Sequence, residues 1–454
     1  MFVLWGNMKR IMDWYLKEWK ENPFRKPLLL RGASQVGKTF SVQRLGKTFE
    51  RFVEVNFAQD KNAKRIFEKT VEPNLIIQEL NLLLDVDITS GNTLLFFDEI
   101  QECPAVLQSL KLFFEKIPSL HVIATGSFLN FAIEKIGIPA GKIESLYCYP
   151  LSFFEFLVAD GHEELAKTIL DHTEDEPFIE EKHQKMLEIL GKYLAIGGMP
   201  EVVSCFVKSK NPRLCFSLYQ GILDRYRQDF YKYCKDHQIK YVKELFNEIP
   251  RQTGKQFKYT KIHKEYKKRE LTQGLDLLCA ANVVYKVHHT TAKSLPLGGQ
   301  CHSDWFKVGF VDVALSQSIL GLDLKPWFLH PEKEFLNRLG FLENFLGGEF
   351  LAYSNPHRKM ELYYWKKEER QSQAEVDFCI KYKESIIPIE VREGDKRTLK
   401  SLQLFLDLHP KSPYGIRFST QNTSRIGRLA FRPLYDVVSL VPEEQKKSLY
   451  ALID

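Results

Sequence analysis

Gly32-Ala33-Ser34-Gln35-Val36-Gly37-Lys38-Thr39 follows the apolar run Pro27-Leu28-Leu29-Leu30 and opens into helix-compatible sequence at Lys38. The octet satisfies GxxxxGK[ST] at every fixed position. Gly32 and Gly37 let the backbone bend so that successive N–H groups, Ala33, Ser34, Gln35 and Val36 included, point inward at phosphate oxygens, while the following helix presents its positive end. In such a loop Lys38 contacts the β- and γ-phosphates and Thr39 ligates Mg²⁺, so the octet predicts a nucleoside triphosphate site.

Working outward, Thr93-Leu94-Leu95-Phe96-Phe97-Asp98-Glu99 is an apolar run ending in two adjacent carboxylates. It reads as a strand buried on both faces with its acids at the C-terminal tip, the Walker B arrangement. Asp98 is the expected second Mg²⁺ contact, and Glu99 the expected catalytic group that orients and polarises the attacking water. The run His121 to Ser127 reads as the next strand. Thr125 and Ser127 at its tip are positioned as γ-phosphate sensors. Phe52 to Phe57 reads as a further strand whose terminal Asn56 is suited to restraining Glu99.

Composition narrows the class. The chain of 454 residues is long enough for two to four domains. It has no apolar run long enough to span a bilayer, and the N-terminus lacks a signal-peptide pattern, so a membrane location is not expected. Eight scattered cysteines without a CxxC pair argue against a zinc ribbon or a disulfide framework and point to the reducing cytoplasm. The net charge is only +6, yet residues 231–270 hold 12 Lys or Arg against 5 Asp or Glu. Lys255, Lys258, Lys261, Lys264, Lys267, Lys268 and Arg269, interleaved with Tyr259, His263 and Tyr266, form a stripe suited to DNA or RNA phosphates or to an acidic protein partner. A solvated helix face accounts for it equally well.

The pattern predicts four parts. Residues 1–150 alternate helices and apolar strands, as a parallel α/β sheet requires; 151–233 read as a helical lid; 234–330 read as a winged-helix segment; 331–454 mix strands and helices. The last part carries its own acids. Glu343 lies on a helix-like stretch, Asp377 on a strand, and Glu390 two residues before Arg392 on another strand, so the latter two share a face. Helix acid, strand acid and Glu-x-basic outline a restriction-endonuclease-like metal site.

Taken together, the chain resembles a family of prokaryotic ATPases that join an AAA-type ATP-binding domain to a C-terminal domain of poorly known function with a nuclease-like fold. The resemblance rests on Gly32–Thr39, Leu94–Glu99, Ala124–Ser127, Tyr149–Phe156, Gly197–Val203, Gly340–Asn344, Glu375–Phe378 and Pro388–Arg392, in that order. It implies an α/β fold: an AAA-type P-loop sheet, a helical lid, a winged-helix segment and a restriction-endonuclease-like α/β domain. It also implies ATP and Mg²⁺ as cofactors and ATP hydrolysis, and it is compatible with a homo-oligomer. Two departures stand out. Relatives commonly carry Arg where this chain has Lys142, a transition-state residue that here lacks the bidentate fork, and Lys where it has Arg392, which stays protonated. The expected output is therefore a nucleotide-controlled module that binds nucleic acid or protein. The alternatives are a regulator with little hydrolysis or a metal-dependent nuclease.

Overall fold

Strands buried on both faces need helices above and below, and the first third of the chain supplies them. In the computed structural model, which describes residues 8–127, 141–173, 176–369, 374–393 and 399–453, β1 (Leu28–Arg31), β2 (Arg51–Asn56), β3 (Thr93–Asp98), β4 (His121–Thr125) and β5 (Glu144–Tyr147) form a parallel sheet in the order β2-β3-β4-β1-β5. Side chains alternate between two cores. Leu29, Leu95, Phe97 and Val122 pack under α3 (Lys61–Lys69), α4 (Pro73–Leu84) and α5 (Ala105–Lys116). Leu28, Leu30, Leu94, Phe96 and Ile123 pack against α1 (Ile11–Glu21) and α2 (Lys38–Gly46). Because the strands are parallel, the loop after β1 and the tips of β2, β3 and β4 all emerge at one edge.

Arg10, just ahead of α1, fixes that edge from below. Its guanidinium pairs with Glu155 at 2.8 Å and donates to the Val36 carbonyl at 3.1 Å and the Tyr149 carbonyl at 2.7 Å. Glu155 also accepts from the Ser152 N–H at 2.8 Å in a capping box and from the Ile11 N–H at 2.9 Å. One buried ion pair thus ties the loop, the chain entering α1 and the first helix after the parallel sheet.

The rest of the chain is not built as three separable units. Phe153, Phe156, Tyr193, Leu194, Tyr226 and Phe246 share one continuous core with Phe310, Phe345, Leu346, Ile389 and Phe418. Polar links reinforce it: the Phe153 N–H donates to Glu349 at 2.9 Å, and the Tyr193 hydroxyl donates to the Leu151 carbonyl at 2.6 Å. The helices of 151–233 therefore pack against the C-terminal half.

A second, mixed sheet contains β6 (Val284–Thr290), β7 (Cys301–Phe310), β8 (Leu362–Lys366), β9 (Glu375–Tyr382), β10 (Ser385–Val391), β11 (Gly415–Ser419), β12 (Ser424–Ile426) and β13 (Leu429–Pro433), in the order β12-β13-β11-β10-β9-β8-β6-β7. β6 pairs in parallel with β8, so a boundary at 330 falls inside this sheet. Strands from both sides of that position therefore complete one another's open edges within a single sheet. Overall the chain is α/β: a parallel P-loop sheet followed by a mixed α/β C-terminal half.

Arg10→Ala leaves Glu155 buried without its cation, a change that typically costs about 3–5 kcal/mol. Urea denaturation of the variant is expected to show a loss of that order.

Candidate nucleotide site

The loop after β1 takes the backbone shape its glycines permit. Gly32 has φ +151° and Gly37 φ +94°, and a Cβ at Gly32 would collide with the Cys148 carbonyl. Lys38 is buried at the start of α2 and folds back onto the loop, donating to the carbonyls of Gly32 at 3.0 Å and Ala33 at 2.6 Å, with Ser127 Oγ at 3.4 Å. Burial lowers its ammonium pKa from the ordinary value, while Glu99 and Asp98 pull in the opposite direction. Carbonyls are weak substitutes for phosphate oxygens, so these contacts are ones a triphosphate can displace.

Asp98 is the centre of the arrangement. Its Oδ2 accepts from Thr39 Oγ1 at 3.1 Å and Asn56 Nδ2 at 3.3 Å; its Oδ1 accepts from the Glu99 N–H at 3.0 Å and from the Thr125 hydroxyl. Three segments distant in sequence, together with the adjacent Glu99 N–H, therefore converge on one carboxylate. Asn56 restrains Asp98, where the sequence had suggested Glu99. A hydroxyl and a carboxylate side by side are hard oxygen donors suited to Mg²⁺.

Glu99 stands in a left-handed backbone conformation, φ 56° and ψ 42°, which costs a non-glycine residue roughly 1–2 kcal/mol. Its carboxylate accepts from the Gln101 amide, and Gln101 Nε2 also lies 3.3 Å from the Tyr233 hydroxyl. Tyr233 in turn donates to Glu102 at 2.7 Å, and Lys232 pairs with the same carboxylate at 2.6 Å. Burial, then the neighbouring Asp98 charge, raises the Glu99 pKa.

Sequence reasoning missed the helix Pro212–Tyr233 as part of this site. Tyr226 donates to the Ser34 carbonyl at 2.8 Å. Asp229 has its pKa pushed up to about 6 by burial and then by Glu99, with Lys232 and Lys38 opposing. Tyr226, Asp229 and Tyr233 recur at helical spacing on one face, and polar groups on that stripe were the available signal.

Lys142 does not join the site. Glu144 is in register with Leu28, the first residue of β1, so it lies roughly 13 Å from the loop along the strand direction, and Lys142, two residues earlier, lies beyond it at the opposite end of the sheet. There it pairs with Glu115 at 3.7 Å beside the Phe114 ring.

The C-terminal acids do converge. Asp377 on β9 and Glu390 on β10 sit on adjacent antiparallel strands, and Glu343 reaches the same place from the helix Leu339–Ala352. Lys307 on β7 lies among them, 3.0 Å from Glu343, 2.7 Å from Glu375 and 3.1 Å from Asp377. The sequence had not singled out this lysine. Burial and then Asp377 push Glu343 up to about 8, against the pull of Lys307, and burial with Asp377 pushes Glu390 up to about 7. Arg392 is half exposed, its Nε 4.0 Å from Glu390.

Residues 24–157 match the family model described as an AAA domain. Residues 187–325 and 340–436 match two domains of unknown function, DUF8612 and DUF4143. No curated protein is significantly similar to the chain. Among solved structures, the Walker-type ATPase PABY2304 of Pyrococcus abyssi is 14% identical with a TM-score of 0.44, over 68% of this chain and 94% of that one. The Aeropyrum pernix Orc1 protein in complex with DNA is 12% identical with a TM-score of 0.29, over 68% and 90%. Drosophila ORC bound to DNA is 13% identical with a TM-score of 0.26, over 68% and 85%. All three scores are low, so the assignment rests on the sheet order, the loop and the family match. The N-terminal part is an AAA-type P-loop ATPase domain. Among the described residues no helix is long and apolar enough to cross a membrane.

Asp229 binds a proton more tightly in the fold than its ordinary value of 3.8 allows, so folded protein holds more protons and stability falls as pH rises from about 4 toward about 6. Asp229→Asn removes that penalty. Thermal melts without nucleotide are expected to place the variant above wild type beyond pH 6 and to converge with it in acid.

Proposed function

We propose that this protein is a Mg²⁺-dependent ATPase whose nucleotide state is passed through the helix Pro212–Tyr233 to a C-terminal half that binds nucleic acid or a protein partner. The observation that carries this reading is the shared edge at which Lys38, Thr39, Asp98 and Glu99 meet Tyr226 and Tyr233. The loop Gly32, Ala33, Ser34, Gln35, Val36 and Gly37 cradles the phosphates, and Lys38 exchanges the Gly32 and Ala33 carbonyls for them. Thr39 and Asp98 would hold Mg²⁺, which when bound neutralises phosphate charge. Glu99 orients the attacking water, and burial beside the Asp98 charge raises its pKa, which strengthens it as a base. Thr125 and Ser127 report the γ-phosphate. Gln101 holds Glu99 toward Tyr233, so release of Glu99 and movement of the helix end are one event.

Lys142 lies at the opposite end of the sheet from its own site, so contact with a nucleotide would have to be in a second copy of a homo-oligomer. That separation, with the Gln101 clamp, favours the second reading, a nucleotide-dependent regulator with slow intrinsic hydrolysis.

For the partner, the segment from Asp236 to Phe310 runs helix, a β-bridge at Gln256, a short 3₁₀ turn at Tyr259–Lys261, helix and hairpin. This order supports a winged-helix reading. Lys255, Lys258, Lys261, Lys264, Lys267, Lys268 and Arg269 are all exposed, and Lys268 spends its charge on Asp304 at the surface, 2.9 Å away. Tyr259 and Tyr266 turn inward onto the core, so base stacking is not their role.

Single-turnover hydrolysis with and without DNA separates the two readings. Glu99→Gln is expected to keep ATP affinity and lose about 10²–10⁴ in rate, whereas Lys38→Ala loses affinity; equal, negligible rates for Glu99→Gln and wild type under every condition would remove Glu99 as the catalytic group. Neutralising Lys264, Lys267 and Lys268 together should flatten the salt dependence of DNA binding by about 3 in log–log slope. An unchanged slope would assign the stripe to solvent.

A further inference from the structure

We propose that the Lys307 ammonium is the resident cation of the C-terminal carboxylate cluster and takes the place of the divalent metal that a restriction-endonuclease-like site requires. The inference stands on this geometry and is independent of ATP hydrolysis.

The acids such a site needs are present and adjacent, but their donor atoms are already committed. Asp377 uses Oδ1 for Lys307 at 3.1 Å and Oδ2 for the Val391 N–H at 2.8 Å. Glu343 gives Oε2 to the same ammonium at 3.0 Å, and Glu375 gives Oε1 at 2.7 Å. An ammonium has three protons, and here it has three carboxylates, one for each. With its side chain only 4% exposed and its charge beside the Tyr364 ring, Lys307 has no route to solvent that would free the acids.

Metal coordination at Asp377 would set a second positive charge next to this buried ammonium. Mg²⁺ also demands near-octahedral oxygen ligation at about 2.1 Å, which oxygens held by hydrogen bonds to Nζ and Val391 do not offer. The group that could assist a metal-bound water is also missing from its expected place. Arg392 stays protonated, is half exposed and lies 4.0 Å from Glu390. The residues present do not fit the metal.

They fit a charge clamp. Lys307 belongs to β7, at the edge of the sheet, whereas Glu375 and Asp377 belong to β9 and Glu343 to a helix; β6 and β8 lie between the two strands in the sheet order. The ammonium therefore ties the hairpin of the winged-helix-like segment to the nuclease-like core.

The test is Mn²⁺ binding by EPR on full-length, nucleotide-free protein carrying Asp98→Asn to silence the ATP site. With Lys307 in place, no bound Mn²⁺ that depends on Asp377 is expected. Lys307→Met should bind Mn²⁺ at least about tenfold more tightly, equivalent to about 1.4 kcal/mol, and adding Asp377→Asn should abolish the gain. Because Lys307→Met leaves several buried acids uncompensated, Lys307→Met/Glu375→Gln, checked for folding by circular dichroism, provides the same readout with one less charge. Asp377-dependent Mn²⁺ binding while Lys307 is present would overturn the proposal. So would folded variants that gain none, or Mn²⁺-dependent cleavage of DNA or RNA that is lost in Lys307→Met.

Discussion

The Asp98 carboxylate is buried at the tip of a strand that is itself inaccessible on both faces, and a buried charge is tolerable only when its oxygens are fully engaged. Everything at the nucleotide edge follows from meeting that demand. Thr39 from the first turn of α2, Asn56 from the neighbouring strand, Thr125 from the strand on the other side and the Glu99 N–H each contribute one donor. The same four contacts set the distance between the phosphate loop and the catalytic glutamate proposed here. A cation bound at this carboxylate must compete with them, which makes nucleotide arrival a rearrangement of existing hydrogen bonds as well as an addition of new ones.

Rearrangement at that edge has an obvious exit. Glu99 sits in a conformation that non-glycine residues adopt at a cost, and the Gln101 amide that holds it is shared with Tyr233. Strain held by a specific contact is a sign of a site with two states. The helix ending at Tyr233 is buried along Tyr219, Ile222, Leu223, Tyr226 and Phe230 in the core that continues into the second sheet. Close-packed interfaces transmit displacement because they deform in discrete steps. The continuous core thus packs the helices between the parallel sheet and the C-terminal half against both, which is the physical basis of the coupling proposed above.

The two charged clusters of the chain solve the same problem with opposite chemistry. At Asp98 the carboxylate is satisfied by neutral donors, which leaves the site short of positive charge and receptive to a cation. At Asp377 the carboxylates are satisfied by an ammonium at 3.1 Å, which closes the site to one. Both assemblies look similar as strings of acids at strand ends, and they differ because of a lysine some 70 residues away in the chain.

How far the sequence reached follows from where each feature's information lies. The phosphate loop, the doubly buried strands and the acid pair at 98 and 99 are local: glycine conformation, hydrophobic runs and strand ends are properties of a few consecutive residues, and they determined the AAA-type domain and the candidate site within it. The C-terminal strands and the meeting of Asp377 with Glu390 were also legible, since period-two alternation assigns faces. What the sequence could not determine depends on contacts between remote segments. The register of β5 against β1 carries Lys142 to the opposite end of the sheet; the pairing of β6 with β8 joins strands from either side of 330 into one sheet; Tyr226, Asp229 and Tyr233 reach the nucleotide edge only because their helix crosses it; and Lys307 enters the acidic cluster from the far edge of the sheet. Each of these was decided by the tertiary structure alone, because burying apolar surface brings distant polar groups together and their charges must then be matched at whatever distance remains.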